Sequence, residues 1–244
     1  MKGTVLACLL LGAASVAACV APPRQAPGQR FEPTEHGRVG VIFLTDPQAK
    51  HVHVGSTVFN NFEQSISQDW GLETLTMSKL SMLFEGHATA VRIDDPLPLD
   101  GGATVSTGWT AASMHAGLEP AFRQLASKYG VFAFIVIEPI ADAVEPNSSV
   151  NADGYGVFTR CFLGKCRAEV LNNLVVRIFA ADPPRYLHQE RSLERNKRVA
   201  LDLPDDMKVI KDSDLSAVKA RFYELYGAVL QNAVIESGIA GVGA

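Results

Sequence analysis

Residues 131–137 (VFAFIVI) are the most apolar run in the chain, and they constrain its fold more than any other feature. Seven residues suit a strand, and a strand with no polar side belongs in the middle of a sheet. Neighbouring strands and covering helices must then come from the rest of the chain. Residues 39–44 (VGVIFL) read as a second buried strand. Residues 51–59 (HVHVGSTVF) are β-branched and alternate, which predicts another strand, ended by Asn60-Asn61. Residues 87–93 (HATAVRI) alternate in the same way.

Helical spacing appears three times. Leu72, Leu75, Leu80, Leu83 and Phe84 make a broad apolar stripe over residues 72–85, with Gly86 as the stop. Leu118, Phe122, Leu125 and Tyr129 share one face, with Gly130 at the end. Pro120 restricts the start of that helix, because proline is tolerated only in a first turn or at a kink. Residues 215–237 carry Leu215, Val218, Phe222, Leu225, Val229 and Ala233 in steps of three and four, closed by Gly238. Residues 94–109, rich in Pro, Gly and Asp, read as a loop. A hairpin is expected around 155–179 and a further strand near 187–201. The resulting order is β-β-α-β-α-β-β-β-α. It predicts an α/β (α+β) fold, a mixed sheet with about three helices packed on it.

The first 19 residues have a separate logic. Lys2 supplies a positive start, residues 5–12 (VLACLLLG) a short apolar core, and residues 13–18 a run of small side chains. That is the layout of an export signal, and it is too short and too weakly apolar for a spanning helix. The sequence Val16-Ala17-Ala18-Cys19 resembles the lipobox of bacterial lipoproteins. The resemblance implies that Cys19 receives lipid on its thiol, such as palmitate, and becomes the mature N-terminus. Val20 stands where inner-membrane-retained relatives carry Asp, so the resemblance implies the outer membrane, on its periplasmic face. Cutting after Ala17 by ordinary signal peptidase is the competing reading. Cys8 has almost no apolar core before it and is a poor lipobox cysteine.

The expected organisation is therefore a signal peptide at 1–18, a lipidated Cys19 with a tether through 37, one domain over 38–238, and a frayed tail at 239–244. Residues 20–33 hold four prolines and one glycine, and cannot bury a core. The rest of the chain can: 47% of all residues are hydrophobic. The formal net charge is −4, and one unit more negative once Lys2 is removed. No clustered basic face points to nucleic acid.

Export leaves two cysteines, Cys161 and Cys166, in an oxidising compartment. If Leu163-Gly164 forms a two-residue turn, Phe162 pairs with Lys165 and Cys161 faces Cys166 in a non-hydrogen-bonded pair. Cα atoms in such pairs lie about 4.5 Å apart, inside the disulfide range. A disulfide pinning the hairpin tip is expected, with free thiols the alternative. Two cysteines without nearby histidines fall short of a zinc set.

The element pattern is similar to the periplasmic α/β domain of the curli-secretion lipoprotein and the N-terminal domain of TolB. The similarity runs through residues 129–137 (YGVFAFIVI), 175–182 (VVRIFAAD) and the C-terminal helix. The segment Gly55-Ser-Thr-Val-Phe-Asn-Asn61 departs from that pattern and resembles uncharacterised proteobacterial lipoproteins. Neither resemblance implies catalytic residues.

Candidate chemistry is thin. His51 and His53 share a strand face and would need a third ligand to hold a metal. The expected alternative is an exposed polar face opposite Val52 and Val54. Ser216-Ala-Val-Lys219 matches S-x-x-K without the companion elements of that chemistry. Asp94-Asp95 and Asp205-Asp206 read as solvated loop acids, and Asp212 and Asp214 as caps of the last helix. Asn60, Asn61, Asp69 and Trp70 form either a binding loop at a sheet edge or turn chemistry beside a packing tryptophan. Residues 191–198 (RSLERNKR) are the one basic stretch, suited to anionic lipid, peptidoglycan or plain solvent. The expectation is an envelope lipoprotein with a non-enzymatic binding or assembly domain. Its partner would be an envelope protein or peptidoglycan, with no cofactor and no metal. The rival is an envelope hydrolase built on His51, His53 and loop acids.

Overall fold

The computed structural model describes residues 37–99, 103–107, 112–115, 117–144, 150–192, 198–199, 201 and 209–240. The expected export segment, Cys19 and the tether up to residue 36 lie outside them, as do Asp205, Asp206 and residues 193–197 of the basic stretch.

The chain opens with β1 (Gly37–Phe43), β2 (Lys50–Val54) and β3 (Phe62–Ser65), followed by α1 (Leu72–Leu83) and β4 (Ala88–Arg92). The short strands β5 (Val105–Thr107) and β6 (Ala112–Met114) precede α2 (Leu118–Tyr129) and β7 (Val131–Pro139). A two-residue pair, β8 (Asp142–Ala143) and β9 (Asn151–Ala152), leads into β10 (Gly154–Phe162) and β11 (Lys165–Ala181). The chain closes with β12 (Pro184–Arg191), β13 (Arg198–Val199) and α3 (Asp212–Ser237).

Among the described residues, nine strands form one mixed sheet in the order β3-β2-β10-β11-β7-β1-β4, with β12 and β13 also paired to β11. The fold class is the one expected, a mixed sheet carrying three helices. β1 runs parallel to both β4 and β7, and β2 parallel to β10. The long strand β11 joins the two halves. Its residues 174–180 pair with β7 and its residues 165–173 with β10, antiparallel in both cases. The hairpin of β10 and β11 therefore extends beyond the end of β7.

The apolar run on β7 is explained by cover on both faces. Ala133, Ile135 and Ile137 join a core with Leu80 of α1 and Phe222 and Leu230 of α3. Phe134 and Val136 point the other way, into a core with Phe122 and Leu125 of α2. Phe122 stacks on Phe134 with ring centroids 4.5 Å apart. A third cluster, of Val52, Val54, Phe158 and Leu171, is covered by Val144 and Ala152 beside β8 and β9. Full burial of each large apolar side chain contributes about 1.5–3 kcal/mol. No helix among the described residues is long and apolar enough to cross a membrane.

Several expectations need correction. The strand expected over 51–59 stops at Val54, because the Asn61 side chain accepts a hydrogen bond from Gly55 N at 3.0 Å and the chain turns back into β3. The loop expected over 94–109 contains β5, paired with β6. The strand expected near 187–201 is two pieces, β12 and β13. Helix α3 starts earlier than expected, so Asp212 and Asp214 lie in its first turn, where they complement the helix dipole; the residue before the helix is Lys211, and no side chain caps it. The tail expected to fray from 239 begins ordered, with Ile239 and Ala240 buried in the first core.

Candidate functional site

β2 places His51 and His53 on one face, and that face is covered rather than exposed. His51 is 1% and His53 5% exposed, which corrects the expected solvated surface. The reason is that this half of the sheet is packed on both sides. Val52 and Val54 fill the third cluster, while the imidazoles turn toward Thr159 of β10. His51 Nε2 lies 2.7 Å and His53 Nδ1 2.8 Å from Thr159 Oγ1. One hydroxyl both donates and accepts, so two neutral imidazoles satisfy it, one offering a lone pair and one an N–H. Phe62 closes the group, stacked on His53 and edge-on to His51, each at 5.0 Å.

Burial pushes the His51 imidazole down to about 4, and the neighbouring His53 adds to the shift. Burial lowers His53 as well. Both rings are therefore neutral near pH 7. His51 borders a cleft of about 250 Å³, whose other walls include Gln64, Ser65, Ser67, Ile210 and Asp212. No group of three or more His, Cys, Asp or Glu side chains among the described residues is placed to hold a metal ion.

The other sequence candidates separate. Asn60 ends the short 3-10 turn Val58–Asn60 between β2 and β3, and Asn61 follows it and serves the local turn by accepting from Gly55 N. Asp69 accepts a hydrogen bond from Gly71 N at 2.7 Å, just before α1. Trp70 is fully buried and packs on Tyr155 and Phe222 at 6.1 and 5.7 Å, which is the packing reading of that residue. Asp95 pairs with Lys128 at 2.8 Å, and Asp94 with Arg92 at 2.6 Å. Ser216 bonds to Asp212 O within its helix, while Lys219 Nζ reaches Asp69 O, so the two make no joint site.

A buried ion pair escaped the sequence reading. Arg177 Nη1 of β11 lies 2.6 Å from Glu138 Oε1 of β7, and both side chains are nearly inaccessible. Thr104 Oγ1 accepts from Arg177 Nη1 at 3.0 Å and donates to Glu138 Oε2 at 2.6 Å. Burial lowers the Arg177 guanidinium, and the Glu138 charge opposes that shift. Tyr186, half-buried beside it, is raised by burial to about 12. The available signal was a single charge inside each of two apolar runs, FIVIE and VVRIF. The geometry suits anchoring Thr104, and with it β5, over the sheet.

The hairpin tip holds the remaining feature. Cys161 and Cys166 are paired across the hairpin with Cα atoms 4.1 Å apart and sulfurs at disulfide distance. The turn is Leu163-Gly164, and Phe162 pairs with Lys165 as the register required. Ser56 Oγ donates to Cys161 O at 3.4 Å and fastens the segment after β2 to this tip. Val58 and Phe59 on that segment are 75% and 93% exposed, and Phe162 and Leu163 on the tip 56% and 80%. Four of the seven large apolar side chains that stand exposed among the described residues thus lie at one end of the sheet.

No protein-family model matches the chain, and no curated protein matches it. Among solved structures, the hypothetical protein CT253 from Chlamydia trachomatis is similar over 85% of this chain and 99% of its own, at 10% identity and a TM-score of 0.33. A likeness that weak carries no argument about fold or function.

Proposed function

We propose that the chain is an exported lipoprotein of the bacterial envelope, held through Cys19 on the periplasmic face of the outer membrane. Its α/β domain serves as a binding or assembly module. The supporting observation is the Cys161–Cys166 pair. A cysteine pair at disulfide distance on an exposed hairpin suits an oxidising compartment, the one the lipobox-like Val16-Ala17-Ala18-Cys19 implies. The exposed apolar end of the sheet supports binding, since side chains of that size are normally covered.

The hydrolase reading draws on the cleft beside His51 and Asp212. It is weaker on physical grounds. The Thr159 hydroxyl is 0% exposed and already shared by two imidazoles, so it is not available to attack a substrate. An imidazole pushed down to about 4 is a feeble base near neutrality.

Cys19→Ala tests the anchor. The expected result is accumulation of unprocessed precursor and loss of membrane retention; normal maturation with full retention overturns the reading. Crosslinking and pulldown from envelopes tests the module. Recovery of no partner, together with ester or glycan cleavage by the purified protein, would replace it with the hydrolase.

A further inference from the structure

The apolar end of the sheet has a charge pattern of its own. Residues 55–62 and 160–167 contain no Asp or Glu but carry Arg160, Lys165 and Arg167, in a chain of net charge −4. Alternation along the hairpin puts Arg160, Phe162, Lys165 and Arg167 on one face, opposite the cysteines. Arg160 and Arg167 are direct cross-strand partners, an arrangement of like charges that is unfavourable in isolation. Glu169, buried on β11, offsets Arg167 at 2.8 Å. Lys165 stands exposed at the tip, beside four exposed apolar side chains.

The turn itself departs from what stability alone would select. Leu163 has φ +49°, the left-handed conformation, and it is the one non-glycine among the described residues with positive φ. Asn, Asp or Gly suits that position in a primed hairpin turn, whereas leucine is strained there. Leu163 is also 80% exposed. A large apolar side chain is thus held in an unfavourable backbone conformation, pointed at solvent, on a hairpin pinned by a cysteine pair. Strain of this kind persists where a side chain is held for a task.

The geometry points to insertion of this tip into an anionic lipid surface. Val58, Phe59, Phe162 and Leu163 enter the boundary between headgroups and acyl chains, while the exposed Lys165 meets lipid phosphate. The shape favours lipid over a protein partner. Two narrow convex loops offer neither the area of a stable protein interface nor the concavity of a ligand pocket, but a bilayer accepts a wedge. The inference builds on the proposed membrane anchoring, and the reach is compatible. From Ala180, near the entry of the chain, to Lys165 at the tip, β11 rises about 50 Å. Residues 20–36 can extend about 60 Å, so Cys19 and the tip can meet one bilayer.

The test places a local reporter on the full chain. Phe162→Trp is combined with vesicles of phosphatidylcholine alone or mixed with phosphatidylglycerol, and its emission is read as the difference from the unsubstituted chain. On phosphatidylglycerol vesicles, the new indole should shift to the blue and be quenched by shallow brominated lipids, less so on phosphatidylcholine. Leu163→Asn in that background should abolish the quenching while raising the melting temperature, because it relieves the left-handed strain. Retained stability excludes misfolding as the cause of lost insertion. Chain that sediments with vesicles but shows an unshifted, unquenched indole retains its anchor and overturns tip insertion, leaving the tip to a protein partner. Chain left in the supernatant of both vesicle types overturns it as well. Quenching that survives Leu163→Asn overturns the role of the leucine.

Discussion

His51 and His53, two residues apart on β2, hydrogen-bond to the same oxygen, Thr159 Oγ1 on β10. A single hydroxyl therefore satisfies two buried rings on a strand more than a hundred residues away in sequence. Its removal should cost far more than one ordinary hydrogen bond. Thr159→Val keeps the shape and leaves both ring nitrogens without a partner, at about 1–3 kcal/mol each. Urea unfolding should show a loss of about 2–4 kcal/mol, and Thr159→Ser should lose only about 1 kcal/mol. Equal losses in the two variants would show that the methyl, not the hydroxyl, matters.

The same burial makes stability depend on pH. His51 titrates at about 6.5 when unfolded and at about 4 when folded. Between those values the unfolded state binds a proton that the folded state refuses. Stability is therefore complete above pH 6.5, falls as pH drops, and levels off near pH 4. The loss from His51 should reach about 2 kcal/mol at pH 5 and about 3 kcal/mol at the plateau, with His53 adding in the same direction. Comparing unfolding at pH 7.5 and pH 5 in the parent and in His51→Gln checks this. A variant whose acid sensitivity equals the parent's would rule out His51 as its source.

The contrast between β7 and β2 shows what a sequence makes visible. The VFAFIVI run identifies a strand buried on both faces because every residue reports the same environment. Cys161 and Cys166 were legible through turn arithmetic, since a two-residue loop fixes every pair above it. On β2 the alternation of His and Val suggested one wet face, because covering elements leave no mark on the strand they cover. Here the cover is Phe62 and a hydroxyl from β10. β3 and β5 were missed because four or three mostly polar residues carry no period. Glu138 and Arg177 were visible only as interruptions, and their pairing depends on the register of β7 against β11.

Two glycines should respond in opposite directions to alanine. Gly156 has φ +145°, and an added Cβ would stand 1.9 Å from Lys50 O on the paired strand β2. Gly156→Ala must push β2 off β10, at a cost of about 3 kcal/mol or more from strain and overpacking. Gly227 lies inside α3, buried, with nothing within 4 Å of an added Cβ. Gly227→Ala should stabilise by about 1 kcal/mol through helix propensity. Thermal melts of both variants decide the matter. Destabilisation by Gly227→Ala would mean that α3 packs more tightly at that turn than its geometry indicates.

The ion pair of Glu138 and Arg177 should behave as a unit. Both side chains are buried on adjacent strands, and Thr104 closes the ring by accepting from one and donating to the other. Removing one charge leaves the other desolvated and unpaired, which costs about 3–5 kcal/mol in such sites. Glu138→Leu and Arg177→Met should each fall in that range by urea unfolding. The double variant should regain most of the loss, because no buried charge remains and the apolar replacements can pack beside Val136 and Phe179. Its remaining deficit measures the Thr104 hydroxyl, which then lacks both partners, and Thr104→Val added to the pair should recover about 1 kcal/mol. Strictly additive losses in the double variant would show that the two charges do not stabilise one another, and that the segment around Thr104 is held by other contacts.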